Sequence, residues 1–178
     1  MVTYPLFTTS EMVRQLEGSS PALFLDASKG QFSPYFAWDR IIPVPGMHGT
    51  FSRSVEGIWQ GLKIIDGQID FSLFNAKKVR KRRVLDYPST RFLHGGKNID
   101  LVMAREVLYK PAYRWMFEHL VFPVFREKIY GSAEEGTQIY CFDVDCNADV
   151  TDSSSSFSHA SFLTDLINEE LERRNGWA

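Results

Sequence analysis

A mainly helical α+β single domain with a few short strands is the fold class this sequence predicts, and three observations predict it. Apolar residues recur at three and four positions through residues 54–65 and 158–174, which is helical spacing. Short apolar runs at 22–25 and 139–142 read as buried strands. The chain has 178 residues, which is room for one domain of ordinary size. Such a chain buries roughly 70% of the surface its unfolded form exposes, so folding needs neither disulfide nor metal.

Thr8-Thr9-Ser10-Glu11 has the form of a capping box, with Thr8 as the cap and Glu11 three residues on. Met12, Val13 and Leu16 supply an apolar stripe, and Gly18 ends the helix. Residues 22–25 follow as a strand. Residues 36–46 are extended at most, because Pro43 and Pro45 block ladder bonding. Gly46 to Gly49 reads as a turn. In 54–65, Val55, Ile58, Trp59, Leu62 and Ile65 make one apolar helical face, and Gly67 terminates it. Residues 71–79 are expected to form another helix. Residues 86–97, with Pro88, Gly95 and Gly96, read as a long loop of the kind that carries function. Helices are expected over 100–109 and 113–119, separated by Pro111, with 125–130 extending the group. After the strand at 139–142 comes a polar, serine-rich loop at 146–156. The closing helix, 158–174, sets Phe162, Leu163, Leu166, Ile167 and Leu171 against Glu169, Glu170, Glu172 and Arg173.

Twenty basic residues oppose 22 acidic ones, a formal charge of −2. That balance argues against a general nucleic-acid coat protein, which needs a basic excess, but leaves room for a local basic patch. Cys141 and Cys146 have no zinc or redox spacing and are too few for a disulfide scaffold. They read as reduced thiols. The first residues lack the basic and apolar regions of a signal peptide. The longest apolar run, Leu120-Val121-Phe122-Pro123-Val124-Phe125, falls far short of the ~18 residues that span a bilayer. The expectation is a soluble cytoplasmic protein with no membrane partner.

Three polar residues interrupt the apolar character of 54–65. Glu56, Gln60 and Lys63 are spaced four and three apart. On an ideal helix Lys63 lies about 20° around the axis from Glu56 and ~10 Å along it. Gly57 and Gly61 share the helix, each costing roughly 0.8–1 kcal/mol against alanine. Such glycines point to close packing or to a ligand near the backbone. A solvated surface face is the alternative, and Trp59 and the glycines weigh against it. A second feature is Phe32-Ser33-Pro34-Tyr35-Phe36-Ala37-Trp38, whose rings suit stacking on a base or covering a core. A third is Lys77-Lys78-Val79-Arg80-Lys81-Arg82-Arg83, six cations in seven positions. Its readings are a solvated helix end or, with Arg82 among the forks, contact with phosphate. His94, beside two glycines, is the one histidine in the expected functional loop. No metal-ligand spacing, P-loop or dinucleotide glycine fingerprint occurs, so neither metal nor cofactor is expected.

The aromatic segment and the Ser54-Val55-Glu56-Gly57-Ile58-Trp59-Gln60-Gly61-Leu62-Lys63 helix, about 15 residues apart, together resemble the NADAR superfamily of YbiA-like proteins. That family carries an aromatic Phe-Ser segment followed by a Ser-x-Glu-x-x-x-Gln-x-x-Lys helix. The likeness runs from about residue 32 to 171. Gly57 stands where relatives often have His, and residues 93–97 and 150–152 depart from the family pattern, which marks a divergent branch. The resemblance implies a mainly helical YbiA-like fold and an N-glycosidase acting on ADP-ribose or ribosyl-phosphate adducts, including ADP-ribosylated guanine in nucleic acid. It implies Glu56 as acid/base and Lys63 as an imine-forming amine, with no cofactor. Phe32, Ser33, Phe36, Trp38, Trp59, Gln60, Arg82, His94, Asn147, Asp149 and Asp152 are the expected binding residues. The alternatives are a module that binds NAD or ADP-ribose without turnover, and a plain interaction protein. The chemistry has one tension. A carboxylate beside a lysine raises its pKa, whereas an amine nucleophile must be neutral.

Overall fold

A computed structural model describes residues 2–18, 21–39 and 41–176. Helices and several short strands are mixed, as expected. The chain forms two compact units. One comprises Met1–Ser33, Phe117–Ala148 and Phe157–Ala178; the other comprises Pro34–Met116 and Asp149–Ser156.

In the first unit, strands β1 (Leu6–Thr9) and β2 (Ala22–Asp26) pair in parallel with the two sides of β8 (Gln138–Asp143). Buried Leu23, Leu25, Ile139 and Cys141 alternate with half-buried Phe24, Tyr140 and Phe142. That is the period of two expected where one face is the more deeply covered. Phe24 and Tyr140 are in register and stack with centroids 5.6 Å apart. Helix α1 (Ser10–Leu16) is capped by Thr9, whose Oγ1 accepts from Met12 N at 3.4 Å. The expected cap, Thr8, is instead a strand residue paired with Phe142. The hydroxyl one position later reaches the free helical amide.

Helix α5 (Phe122–Glu134) follows a π-helical stretch, Phe117–Val121. Pro123 has no N–H to give, and the i→i+5 pattern ahead of it passes over the missing donor. Helix α6 (His159–Arg174) buries Phe162, Leu163, Leu166, Ile167 and Leu171. Glu170 does not share the solvated face assigned to it: it is 8% exposed, and its ion pair with Arg173 lies at 2.6 Å. The buried Asp143 carboxylate accepts from His159 N at 2.9 Å at the head of α6. Cys141 is buried, and burial pushes its thiol up to about 12.

In the second unit, β3 (Ile42–Pro43) and β4 (Phe51–Ser52) form a minimal antiparallel pair around the Gly46–Gly49 turn. Extended structure in 36–46 is thus limited to two residues; Arg40 lies outside the described residues. Helix α2 (Val55–Leu62) starts at Ser54, whose Oγ accepts from Gly57 N at 2.9 Å. It stops three residues short of the expectation. Lys63 and Ile64 form β5, which pairs with β6 (Arg91–His94), and β6 turns through Gly95 and Gly96 into β7 (Lys97–Asp100). The expected loop at 86–97 is therefore partly a hairpin. Both of its glycines have positive φ, 55° and 77°, the requirement of a type I′ turn.

The helix expected at 71–79 is a single 3-10 turn, Phe71–Asn75, capped by Asp70. This turn accounts for the two glycines of α2. A Cβ on Gly57 would lie 2.8 Å from the Leu73 carbonyl oxygen, and one on Gly61 would lie 2.6 Å from the Phe74 ring. Close packing, not ligand approach, excludes a side chain there. Helix α3 (Leu101–Ala104), a π-helical stretch Arg105–Tyr109 and α4 (Lys110–Met116) then follow directly. Pro111 was expected to separate two helices. The wider turn before it instead absorbs the missing donor. No described helix is long and apolar enough to cross a membrane.

Candidate functional site

The second unit gathers four polar residues along α2 and where it passes into β5. Glu56 and Gln60 are one turn apart on α2 and both are buried; Lys63, the first residue of β5, is 2% exposed. Gln60 Nε2 donates to Glu56 Oε1 at 2.6 Å, and Gln60 Oε1 accepts from Arg82 N at 2.8 Å. Lys63 Nζ donates to the Arg82 carbonyl at 3.1 Å. The Arg82 guanidinium donates to the carbonyls of Gln60 at 2.8 Å, Lys63 at 2.7 Å and Gln68 at 3.2 Å. Carbonyls at the end of a helix have no intrahelical partner, so a cation there is favourable twice, by hydrogen bond and by dipole.

Burial is the main influence on the Lys63 amine and lowers its pKa from 10.5 to about 8. Glu56 acts in the opposite direction; Lys81 and Arg82 reinforce the lowering. The tension between carboxylate and amine is therefore decided by desolvation. At pH 7 about a tenth of such an amine is neutral, against a fraction below ~0.1% for an exposed lysine. Aromatic rings back this corner. Trp59 lies 4.2 Å, centroid to centroid, from Phe92, the strand partner of Lys63, and meets Tyr109 edge-on at 6.1 Å.

The other expected residues are distributed more widely. Phe36 and Trp38 pack on each other at 4.7 Å, and the Trp38 chain is tied to Arg53 by reciprocal bonds of 2.7 and 3.3 Å. Trp38 Nε1 and His94 Nδ1 are buried with no hydrogen-bond partner among the described residues. His94 ends β6 and lies against Gly46, where a Cβ would come within 2.6 Å of its ring. Phe32, Ser33 and Asn147 belong to the first unit. There Phe32 is buried against Phe125 at 4.7 Å, Ser33 is buried, and the Asn147 carbonyl accepts from Ser158 N at 2.8 Å. Arg82 was expected to contact phosphate through its fork, but its NH1 and NH2 groups donate to carbonyls. The exposed cations of the basic run are Lys77, Lys78, Arg80, Lys81 and Arg83.

Asp149 and Asp152 lie in a loop of the second unit. Asp149 Oδ1 accepts from Thr151 N at 2.8 Å and from Thr151 Oγ1 at 2.6 Å; Asp152 Oδ1 accepts from Ser154 N at 2.8 Å. These bonds hold both carboxyls below the usual range, Asp149 through Thr151 and Asp152 through Ser154. Both are therefore acceptors rather than proton donors at neutral pH. Sequence reasoning missed the residue that organises this loop. Arg105, buried in the π-helical stretch, donates to the carbonyls of Val150 at 2.9 Å, Asp152 at 2.7 Å and Ser155 at 2.6 Å. A signal was present: Arg105 interrupts the apolar series Leu101, Ala104, Leu108. Among the described residues, no group of three His, Cys, Asp or Glu side chains is placed to hold a metal.

The chain belongs to the family described as "Family of unknown function (DUF6939)", which matches residues 26–163. That span contains α2, Lys63, the basic run, Arg105 and the late loop. No curated protein and no solved structure matches the chain.

Proposed function

We propose that this chain is a cytoplasmic N-glycosidase with a YbiA-like fold, a divergent member of the NADAR superfamily. It cleaves the N-glycosidic bond of an ADP-ribose or ribosyl-phosphate adduct, with ADP-ribosylated guanine in nucleic acid as one substrate form. The observation that carries the reading is a buried amine at the C-terminal end of α2, held near a pKa of about 8, with a buried carboxylate in the first turn of the same helix. A solvated polar face would give neither the burial nor the pKa.

The reaction runs through the open form of the sugar. The ring opens so that C1 carries an imine to the leaving nitrogen. Neutral Lys63 Nζ adds to C1, forming a new C–N bond. Glu56 returns a proton to the leaving nitrogen, and the C1–N bond to the base breaks. Water then adds at C1 of the Lys63 imine, releasing the aldehyde sugar and the free amine. Trp59, with Phe36 and Trp38, offers ring faces to the base, and the exposed cations of the basic run face phosphates.

One observation favours a second reading. Lys63 and Glu56 are both satisfied by protein partners, as they would be in a module that binds NAD or ADP-ribose without turnover. Borohydride reduction in the presence of ADP-ribose separates the two. The glycosidase gives a covalent adduct on Lys63 that is absent from Lys63→Ala. ADP-ribose binding without an adduct establishes the module. Absence of both leaves an interaction protein and rejects the proposal.

A further inference from the structure

We propose that Arg82 is a positioning residue for Lys63, holding it from two sides: the guanidinium on the Lys63 main-chain carbonyl, and the Arg82 carbonyl under the Lys63 Nζ. The inference rests on reading Lys63 as a nucleophile and adds what keeps that amine in its reactive form. Residues 76–90 have no helix or strand, so the basic run has no ladder to fix it. What fixes it against α2 is Arg82, through its N–H on Gln60 Oε1 and its fork on three carbonyls. The run thereby covers the amine and keeps it from water.

The charges facing Lys63 are few. Glu56 comes from α2, and Lys81 and Arg82 come from the basic run; across β5 the partner is the apolar Phe92. Glu56 favours the ammonium. Lys81 and Arg82 favour the free amine, as a neighbouring cation does for other lysine nucleophiles. A residue run that looks like an anion-binding strip thus has a second task, directed inward.

The test reads the amine itself with a small aldehyde, glycolaldehyde, on the intact protein. The amine adds to the aldehyde, water leaves, and cyanoborohydride delivers hydride to the C=N bond, leaving a stable secondary amine. Adduct on Lys63 is measured by peptide mass across pH 6–10. Wild type is expected to show a midpoint near 8, following the free amine. Arg82→Gln should raise the midpoint by about one unit or more, since both the covering run and a cation are lost. Arg82→Lys should recover part of that shift. Lys81→Gln, an exposed change that leaves every hydrogen bond of Arg82 in place, should raise it by a smaller amount. If Arg82→Gln does not fold, the Arg82→Lys midpoint, expected between those of wild type and a fully uncovered lysine, decides. A lower yield at an unchanged midpoint, in folded Arg82→Gln or Arg82→Lys, overturns the proposal. Because glycolaldehyde is not a glycoside, a shifted midpoint without glycoside hydrolysis keeps the positioning role and rejects the reaction.

Discussion

Helices α2 and α6 are built alike and differ in one respect that matters. Each starts at a serine cap, and each buries a glutamate, Glu56 at 5% and Glu170 at 8% exposure. Both carboxylates accept a 2.6 Å hydrogen bond from one turn further along their own helix. For Glu170 the donor is the guanidinium of Arg173, which is half in water. For Glu56 it is the neutral amide of Gln60, with the buried Lys63 amine beyond it. An arginine cannot release its proton near neutral pH, whereas a desolvated lysine can. Two buried acids of similar exposure thus differ in what their partners allow. Burial alone marks a helix that packs; burial of a cation able to lose its charge marks one that can react.

The largest effect that would break this contrast comes from Lys63→Arg, which gives α2 the kind of cation α6 has. Adduct formation should vanish at every pH up to 10, measured by reductive trapping. Glycoside hydrolysis persisting in Lys63→Arg, with the trapped adduct on another lysine, would mean that Lys63 is not the nucleophile. Next comes Gly57→Ala, which tests the tight packing that buries the α2 acid. Its Cβ meets a backbone oxygen at 2.8 Å, so overpacking of about 1–3 kcal/mol should exceed the helical gain of alanine and lower Tm. A raised Tm would show that the Phe71–Asn75 turn gives way.

A pH comparison sharpens the contrast. Between pH 8 and 10.5 folded Lys63 binds fewer protons than unfolded lysine, so wild-type stability should rise with pH across that window. Below it the buried ammonium is a standing cost. Lys63→Met should remove the rise, read from urea midpoints. The smallest effect belongs to Glu170→Gln. Burial raises the Glu170 pKa, outweighing the opposing pull of Arg173; Glu118 and Glu169 add to the rise. Its wild-type contribution is therefore full below 4.5 and falls as pH rises through the shifted value. The variant should gain on wild type between pH 4 and pH 7 by less than ~1 kcal/mol, since Arg173 is solvated.

Much of α2 and α6 was legible because their signals are local: a serine cap, apolar spacing, and glycines whose cost demanded a reason. The end of α2 was not. Gly67 offered a stop, but pairing of Lys63 and Ile64 with Phe92 and Arg91 ends the helix sooner, and that pairing is tertiary. Gly95-Gly96 between two four-residue runs was a readable hairpin signal that a long-loop assignment passed over. The parallel pairing of β1 with β8 joins residues more than 130 positions apart, which no local pattern encodes. Arg105 and Arg82 were legible as cations but not as organisers, because their acceptors are carbonyls 14 to 50 residues away. In the site, the Glu56–Gln60 spacing led directly to a bonded pair, while the nearness of Arg82 to Lys63 depended on where an irregular segment comes to rest.

The stretch Arg105–Tyr109 has a consequence for chain length. A π-type turn takes in one residue more than an α turn, so positions beyond it are rotated by about 100° relative to an uninterrupted helix. Buried positions accordingly slip by one, from Leu101, Ala104 and Leu108 to Tyr109, Ala112, Tyr113 and Met116. Deleting a single residue there would restore an ordinary helix only if Pro111 were also replaced by a residue with an amide hydrogen. The extra residue is therefore bound to the proline: it cannot be lost while Pro111 stays without leaving the helix short of a donor, and its loss turns the Tyr113 side by a full residue step.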